Sequence, residues 1–373
     1  MKWTEVLLEK AIDVSSIAFE ADEALTALYT KIIEEAAATS IRIGKRLENG
    51  RFGDPYPDDR VKAAMEYYHE HTRAFGRSAA YACMYDGSKL LTNLVQEFML
   101  REHGVDNDND GQNDGVIVDG LYYPIGNIRV IIEKDNVPEG VGGHMMRQHR
   151  AGDFHAINGG VPESNKHFAG CKIYLDKASV KMWVETVDEA VHNLVYYAFN
   201  GEYADYYPGY YPDMLVHDVI PTFTHELDHL VYYTKSNKGS ISMIGSGGRK
   251  GRRNYDIGFG TTPKENQRYY GSHVELQAFA SGAAIRILRN EVLAIGKNWM
   301  TIRNDGINLT DSKVWNSIID DLIEKIKHGD PLTPDIYVYQ KDIRDAEPDK
   351  SSYQRVWRRF IRLVVDKLEQ YKR

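Results

Sequence analysis

Between Pro221 and Tyr233 the chain reads PTFTHELDHLVYY, and this stretch limits the possible folds more than any other. Phe223, Leu227 and Leu230 interleave its polar residues, so a helix here is at least partly buried. It then carries His225, Glu226, Asp228 and His229 toward a core where unpartnered polar groups are costly. The fold must supply partners for them. Residues four apart share a helix face, so His225 and His229 aim their imidazoles at one spot. Two neutral imidazoles so placed suit a zinc ion. Glu226 leaves the same turn at another angle, where it can take a proton from a metal-bound water without occupying the metal. Pro221 is expected in the first turn, where its missing N–H costs nothing.

In its order of His225, Glu226 and His229, the segment resembles the HExxH metallopeptidases, or zincins. The resemblance implies a zinc-dependent hydrolase that cleaves peptide bonds, with Glu226 as general base and a peptide or protein as substrate. Asp228 departs from that motif, which normally has an uncharged residue before the second histidine. Downstream, RYYGSHVELQAFASGAA (268–284) resembles the glutamate helix of gluzincins, which makes Glu275 the third zinc ligand. The alternative for Ser272 and Glu275 is a capping box. Tyr269, Tyr270 and His273 lie beside that ligand, and Tyr270 and His273 are the candidate catalytic partners for the developing oxyanion. In zincins the substrate adds as a strand to a sheet edge beside the HExxH helix, and Lys172 to Leu175 is the candidate edge. The run His225 to Leu230 also resembles peptide deformylases, which would instead make Cys171 the third ligand. A further rival is a non-catalytic structural protein whose metal clips helices together.

The rest of the chain gives an α+β expectation: a helix-dominated catalytic region with a small central sheet, preceded by a helical N-terminal unit at 1–104. Apolar spacing predicts helices over about 4–48 and 60–101, the second broken near Gly76 and Gly87. Strands are expected within 120–134 and at 171–175, with a long functional loop at 140–160. Further helices are expected near 179–199, 221–234, 272–293, 311–327 and 352–371. The Gly-rich stretch 235–260, basic at Arg249, Lys250, Arg252 and Arg253, reads as a lid or a solvated loop.

Residues 105–119 form an acidic connector to the catalytic region at 120–373. Its DNDNDGQNDG resembles calcium loops of the EF-hand and dockerin kind: Asp106, Asp108, Asp110, Gln112 and Asp114 are the candidate structural calcium ligands, and Gly111 stands at the sharp turn. Ile117 stands where an EF-hand has its bidentate glutamate. The net charge of −8 disfavours nucleic acid and anionic membranes as partners. Two cysteines, and an N-terminus without the pattern of a secretory signal, point to a cytoplasmic protein. The same arrangement of an HExxH helix and a glutamate helix occurs in uncharacterised proteins of large tailed phages, which makes a virion the alternative location.

Overall fold

The computed structural model describes residues 14–48, 57–107, 109–118, 121–134, 143–147, 168–200, 210–235, 272–302, 311–329, 340, 344 and 350–373. The fold is α+β and helix-dominated. Its helices are α1 (Val14–Glu48), α2 (Pro57–His103), α3 (Lys177–Asn200), α4 (Tyr210–Lys235), α5 (His273–Ile302), α6 (Ser312–His328) and α7 (Lys350–Glu369). Among the described residues two three-stranded sheets accompany them. One is an antiparallel meander of β1 (Gly104–Val105), β2 (Gly115–Val118) and β3 (Leu121–Pro124). In the other, β6 (Ala169–Tyr174) lies between β4 (Ile128–Glu133), its parallel neighbour, and β5 (Gly143–Arg147), its antiparallel one.

Helix α1 buries Ile17, Ala21, Leu25, Tyr29 and Ile33, the three-to-four spacing that made it legible as a helix. Helix α2 corrects the expected break: it runs through both Gly76 and Gly87 without interruption. A Cβ on Gly87 would stand 2.6 Å from the Tyr29 hydroxyl oxygen, so this glycine serves the close approach of α1 rather than a turn.

Helix α2 also closes one edge of the second sheet. The Thr92 hydroxyl accepts from Val130 N–H (2.9 Å) and donates to Val130 C=O (3.1 Å). Gln96 Nε2 donates to Ile128 C=O (2.8 Å), and Ser88 Oγ accepts from Ile132 N–H (2.9 Å). Four helical residues rise about 6 Å and two strand residues about 6.6 Å, so side chains at i, i+4 and i+8 can follow alternate strand residues. The helix supplies the partners that a fourth strand would supply.

Two expectations for this sheet are corrected. Residues 143–147 of the supposed long loop are strand β5. Lys172 to Leu175 is no edge, because β6 is the middle strand and both its backbone sides are paired. Its near-continuous burial is the mark of a central strand.

The buried apolar residues form one cluster that takes in α1, α2, both sheets, α3, α4, α5, α6 and α7. Among the described residues no helix is long and apolar enough to cross a membrane.

Candidate metal centre

Helix α4 begins at Tyr210, about three turns earlier than expected, so Pro221 is interior to it. Pro212 and Asp213 occupy the first turn, where proline and a carboxylate are both favoured. Interior proline normally costs a helix about 3 kcal/mol. Burial of Leu215, Val216, Val219, Ile220, Phe223, Leu227 and Leu230 holds the helix together across it. Opposite lies Gly282 of α5, where a Cβ would stand 2.8 Å from the Pro221 carbonyl oxygen. The two helices therefore approach each other closely one turn from His225, whose own Cβ would be 3.7 Å away from that added atom.

This close crossing brings Glu275 to the histidines. His225 Nε2 and His229 Nε2 are 3.1 Å apart. Glu275 Oε2 lies 3.7 Å from the first and 3.4 Å from the second. An ion bound by N and O ligands at about 2.1 Å in tetrahedral geometry holds them roughly 3.4 Å apart, so the three separations fit the edges of one tetrahedral face. Among the described residues this is the one group of three or more His, Cys, Asp or Glu whose ligand atoms converge. Glu226 Oε1 is 4.0 Å from His225 Nε2, and its residue is 5% exposed.

Ser272 and Glu275 do two jobs at once. The Glu275 backbone N–H donates to Ser272 Oγ (3.2 Å), which caps α5, while the Glu275 side chain turns to the histidines. The cap uses the Glu275 backbone, which leaves its carboxylate to face the histidines.

The electrostatics distinguish the two imidazoles. Burial, aided by the neighbouring His229, pushes His225 down to about 4 and keeps it neutral, as a ligand must be. A hydrogen bond to the Ala278 backbone orients its ring, and Phe279 packs edge-on at 4.4 Å. Burial also acts to lower His229, but the hydrogen bond and charge of Glu275, with the charges of Glu226 and Asp228, outweigh it and raise this imidazole to about 9. In the metal-free molecule His229 carries the proton that a bound cation displaces.

Beneath the trio lies a network whose partners the sequence did not name. Asp228 accepts from Ser281 Oγ of α5 (2.5 Å) and from Lys367 Nζ of α7 (3.2 Å), and all three residues are buried. Asp228, the departure from the motif, thus ties three helices together one residue from His229. Lys367 was traceable as the one basic side chain on the apolar face set by Phe360, Val364, Leu368 and Tyr371. Two turns beyond Ser281, Arg289 donates to Asp22 of α1 (2.7 Å) and to Asp213 of α4 (3.2 Å), fixing the far end of the same crossing.

The other candidates are placed as follows. Cys171 is fully buried, and burial, together with the charge of Glu226, drives its thiol well above the usual range. It stands outside the convergent group, which Glu275 completes. His273 is exposed on the α7 side of α5, lowered by partial burial and by Arg359. It does not join the trio. Tyr269, Tyr270 and the basic stretch 235–260 lie outside the described residues, except Lys235 at the end of α4.

The acidic connector is a hairpin loop between β1 and β2, with Gly111 at φ 89° in the sharp turn expected of it. Its carboxylates serve the loop itself. Asp106 accepts from Gly111 N–H, Asp110 from Gln112 N–H and Asp114 from Asn107 N–H. Asp108 lies outside the described residues.

No protein-family model matches the chain, and neither a curated protein nor a solved structure matches it.

Proposed function

We propose that the chain is a zinc-dependent hydrolase, a metallopeptidase whose metal is held by His225, His229 and Glu275. The observation that carries this reading is the convergence of the three ligand atoms at tetrahedral spacings with Glu226 beside them. Zinc, when bound, supplies a water acidified to about pKa 7 and polarises the scissile carbonyl. Glu226, beside the trio, would serve as the base that takes a proton from the attacking water and the acid that gives it to the leaving amine. Ala278 holds the His225 ring, and Asp228, anchored by Ser281 and Lys367, sets the angle between the ligand helices.

The corrected sheet order supports β5 as the strand beside which an extended substrate lies. Among the described residues β5 has β6 on one side and no strand on the other, whereas α2 closes the far edge of β4. Backbone addition there gives affinity without regard to sequence. Two free, buried cysteines fit a reducing compartment, the cytoplasmic location expected above.

Metal analysis of the purified protein tests the site: one zinc per chain in the wild type and loss of it in His225→Ala are expected. A folded wild type that takes up no zinc at saturating concentration sinks the proposal. Glu226→Gln then separates an enzyme from a metal-clipped structural protein. Retained zinc with peptide hydrolysis reduced at least a hundredfold is expected; a structural protein shows no hydrolysis to lose.

A further inference from the structure

The C-terminal segment 350–373 carries eight of the chain's 46 lysines and arginines but two of its 54 acidic residues. Within α7 this excess is sorted by face. Phe360, Val364, Lys367 and Leu368 point inward. On the opposite side Arg355, Arg358, Arg359 and Arg362 fall at i, i+3, i+4 and i+7, and all four are exposed. Exposed helix faces ordinarily alternate charge: α6, for comparison, pairs Lys325 with Asp321 and Lys327 with Glu324. Among the described residues none of the four guanidinium groups of α7 has a carboxylate partner. Four like charges one turn apart repel one another, so the stripe costs stability until an anion covers it.

Its position is fixed at two points. Lys367 meets Asp228 together with Ser281, and toward the C-terminal end Arg373 lies over the ring of Phe19 in α1, one turn from the Asp22 that holds Arg289, eight residues after Ser281. Helix α7 therefore runs parallel to α5, and Arg362, five residues before Lys367, stands level with the turn that presents Glu275, six residues before Ser281. From there the stripe continues outward past the N-terminus of α5 to Arg355.

We infer that this arginine stripe docks an acidic stretch of the polypeptide substrate next to the scissile bond, a specificity element that rests on the peptidase reading above. The dimensions favour a peptide. Arg355 and Arg359, like Arg358 and Arg362, are one helical step of about 6 Å apart, and alternate side chains of an extended peptide are about 6.6 Å apart. The stripe is only about 10 Å long, and Asp366 and Glu369 interrupt its face toward the C-terminus. A chain of net charge −8 around so short a strip disfavours a long polyanion and accommodates a few carboxylates.

The test uses the full-length chain bearing Glu226→Gln, so that probes survive, at 150 mM salt. Fluorescence anisotropy follows a labelled seven-residue peptide of alternating Glu and Gly. Binding at least tenfold tighter than to the Arg355→Glu, Arg358→Glu, Arg359→Glu, Arg362→Glu variant is expected, with most of the affinity kept when the four become lysine. Equal affinity in the wild-type stripe and its reversal overturns the proposal. So does tighter binding of a 20-nucleotide single-stranded RNA, or of vesicles of phosphatidylcholine and phosphatidylserine, than of the peptide. Peptide binding by the Glu226→Gln chain, with no peptide hydrolysis by the chain that keeps Glu226, leaves the docking site standing and removes the peptidase reading. Hydrolysis of peptides with no dependence on the stripe does the reverse.

Discussion

Replacing Lys367 with methionine removes one partner from a buried ion pair and keeps the volume of the side chain. The wild-type Nζ to Oδ2 separation is 3.2 Å, with both side chains under a tenth exposed. At an effective dielectric of about 20 the attraction is roughly 5 kcal/mol. Desolvation of both ions offsets much of this in the intact protein, but the variant retains a buried Asp228 carboxylate with only Ser281 to stabilise it. The expected loss is about 3–5 kcal/mol. Converting Asp228 to asparagine in the same chain removes the stranded charge while Ser281 can still donate to the amide oxygen. The double variant is therefore expected to recover at least half of the loss. Urea denaturation followed by circular dichroism, with equal m-values across the series, measures both quantities. A single-variant cost below about 1 kcal/mol, or a double variant no better than the single, would falsify the view that this pair holds the metal helix in place.

Other outcomes follow from neighbouring contacts. Glu275→Ala is expected to abolish stoichiometric zinc binding and Cys171→Ala to keep it, measured by metal analysis after dialysis; the opposite result reassigns the third ligand to the cysteine. Gly282→Val places side-chain carbon against the Pro221 carbonyl and should cost about 1–3 kcal/mol in urea denaturation while weakening zinc retention, because it spreads the ligand helices. Thr92→Val strips both hydrogen bonds from Val130, and a loss of about 1–3 kcal/mol is expected with faster amide exchange along β4. Asp213 is raised from 3.8 to about 6 by burial, against the pull of Arg289 and with the help of Asp22. A carboxyl whose folded pKa lies above its unfolded one favours the native state below about pH 4, and that advantage is lost as pH rises through 6. Relative to Asp213→Asn, the wild type should thus lose on the order of 2–3 kcal/mol between pH 4 and 7, read from paired denaturation curves. A constant difference across that range contradicts the assignment.

What the sequence determined by itself was local and periodic. The spacing of Ile17, Ala21, Leu25 and Ile33 makes α1 a helix whatever surrounds it, and a helix carrying His225 and His229 places both rings on one face. Glycine was misread where its reason was not local: Gly76 and Gly87 looked like breaks, but Gly87 answers to the Tyr29 hydroxyl of another helix. Pro221 likewise looked like a helix start, and buried neighbours on both sides of it carry the helix through. Strand order was also hidden, because pairing energies depend on partners distant in sequence, and so β6 was mistaken for an edge while Ser88, Thr92 and Gln96 closed the true one. The tertiary structure alone decided how deep and how near. It set Glu275 against the two histidines and left Cys171 apart. It also made Asp228 a buried tie to Ser281 and Lys367, 53 and 139 residues away. A motif names the atoms that can bind a metal, but only the packing of one helix on another brings a third ligand to within 4 Å of them.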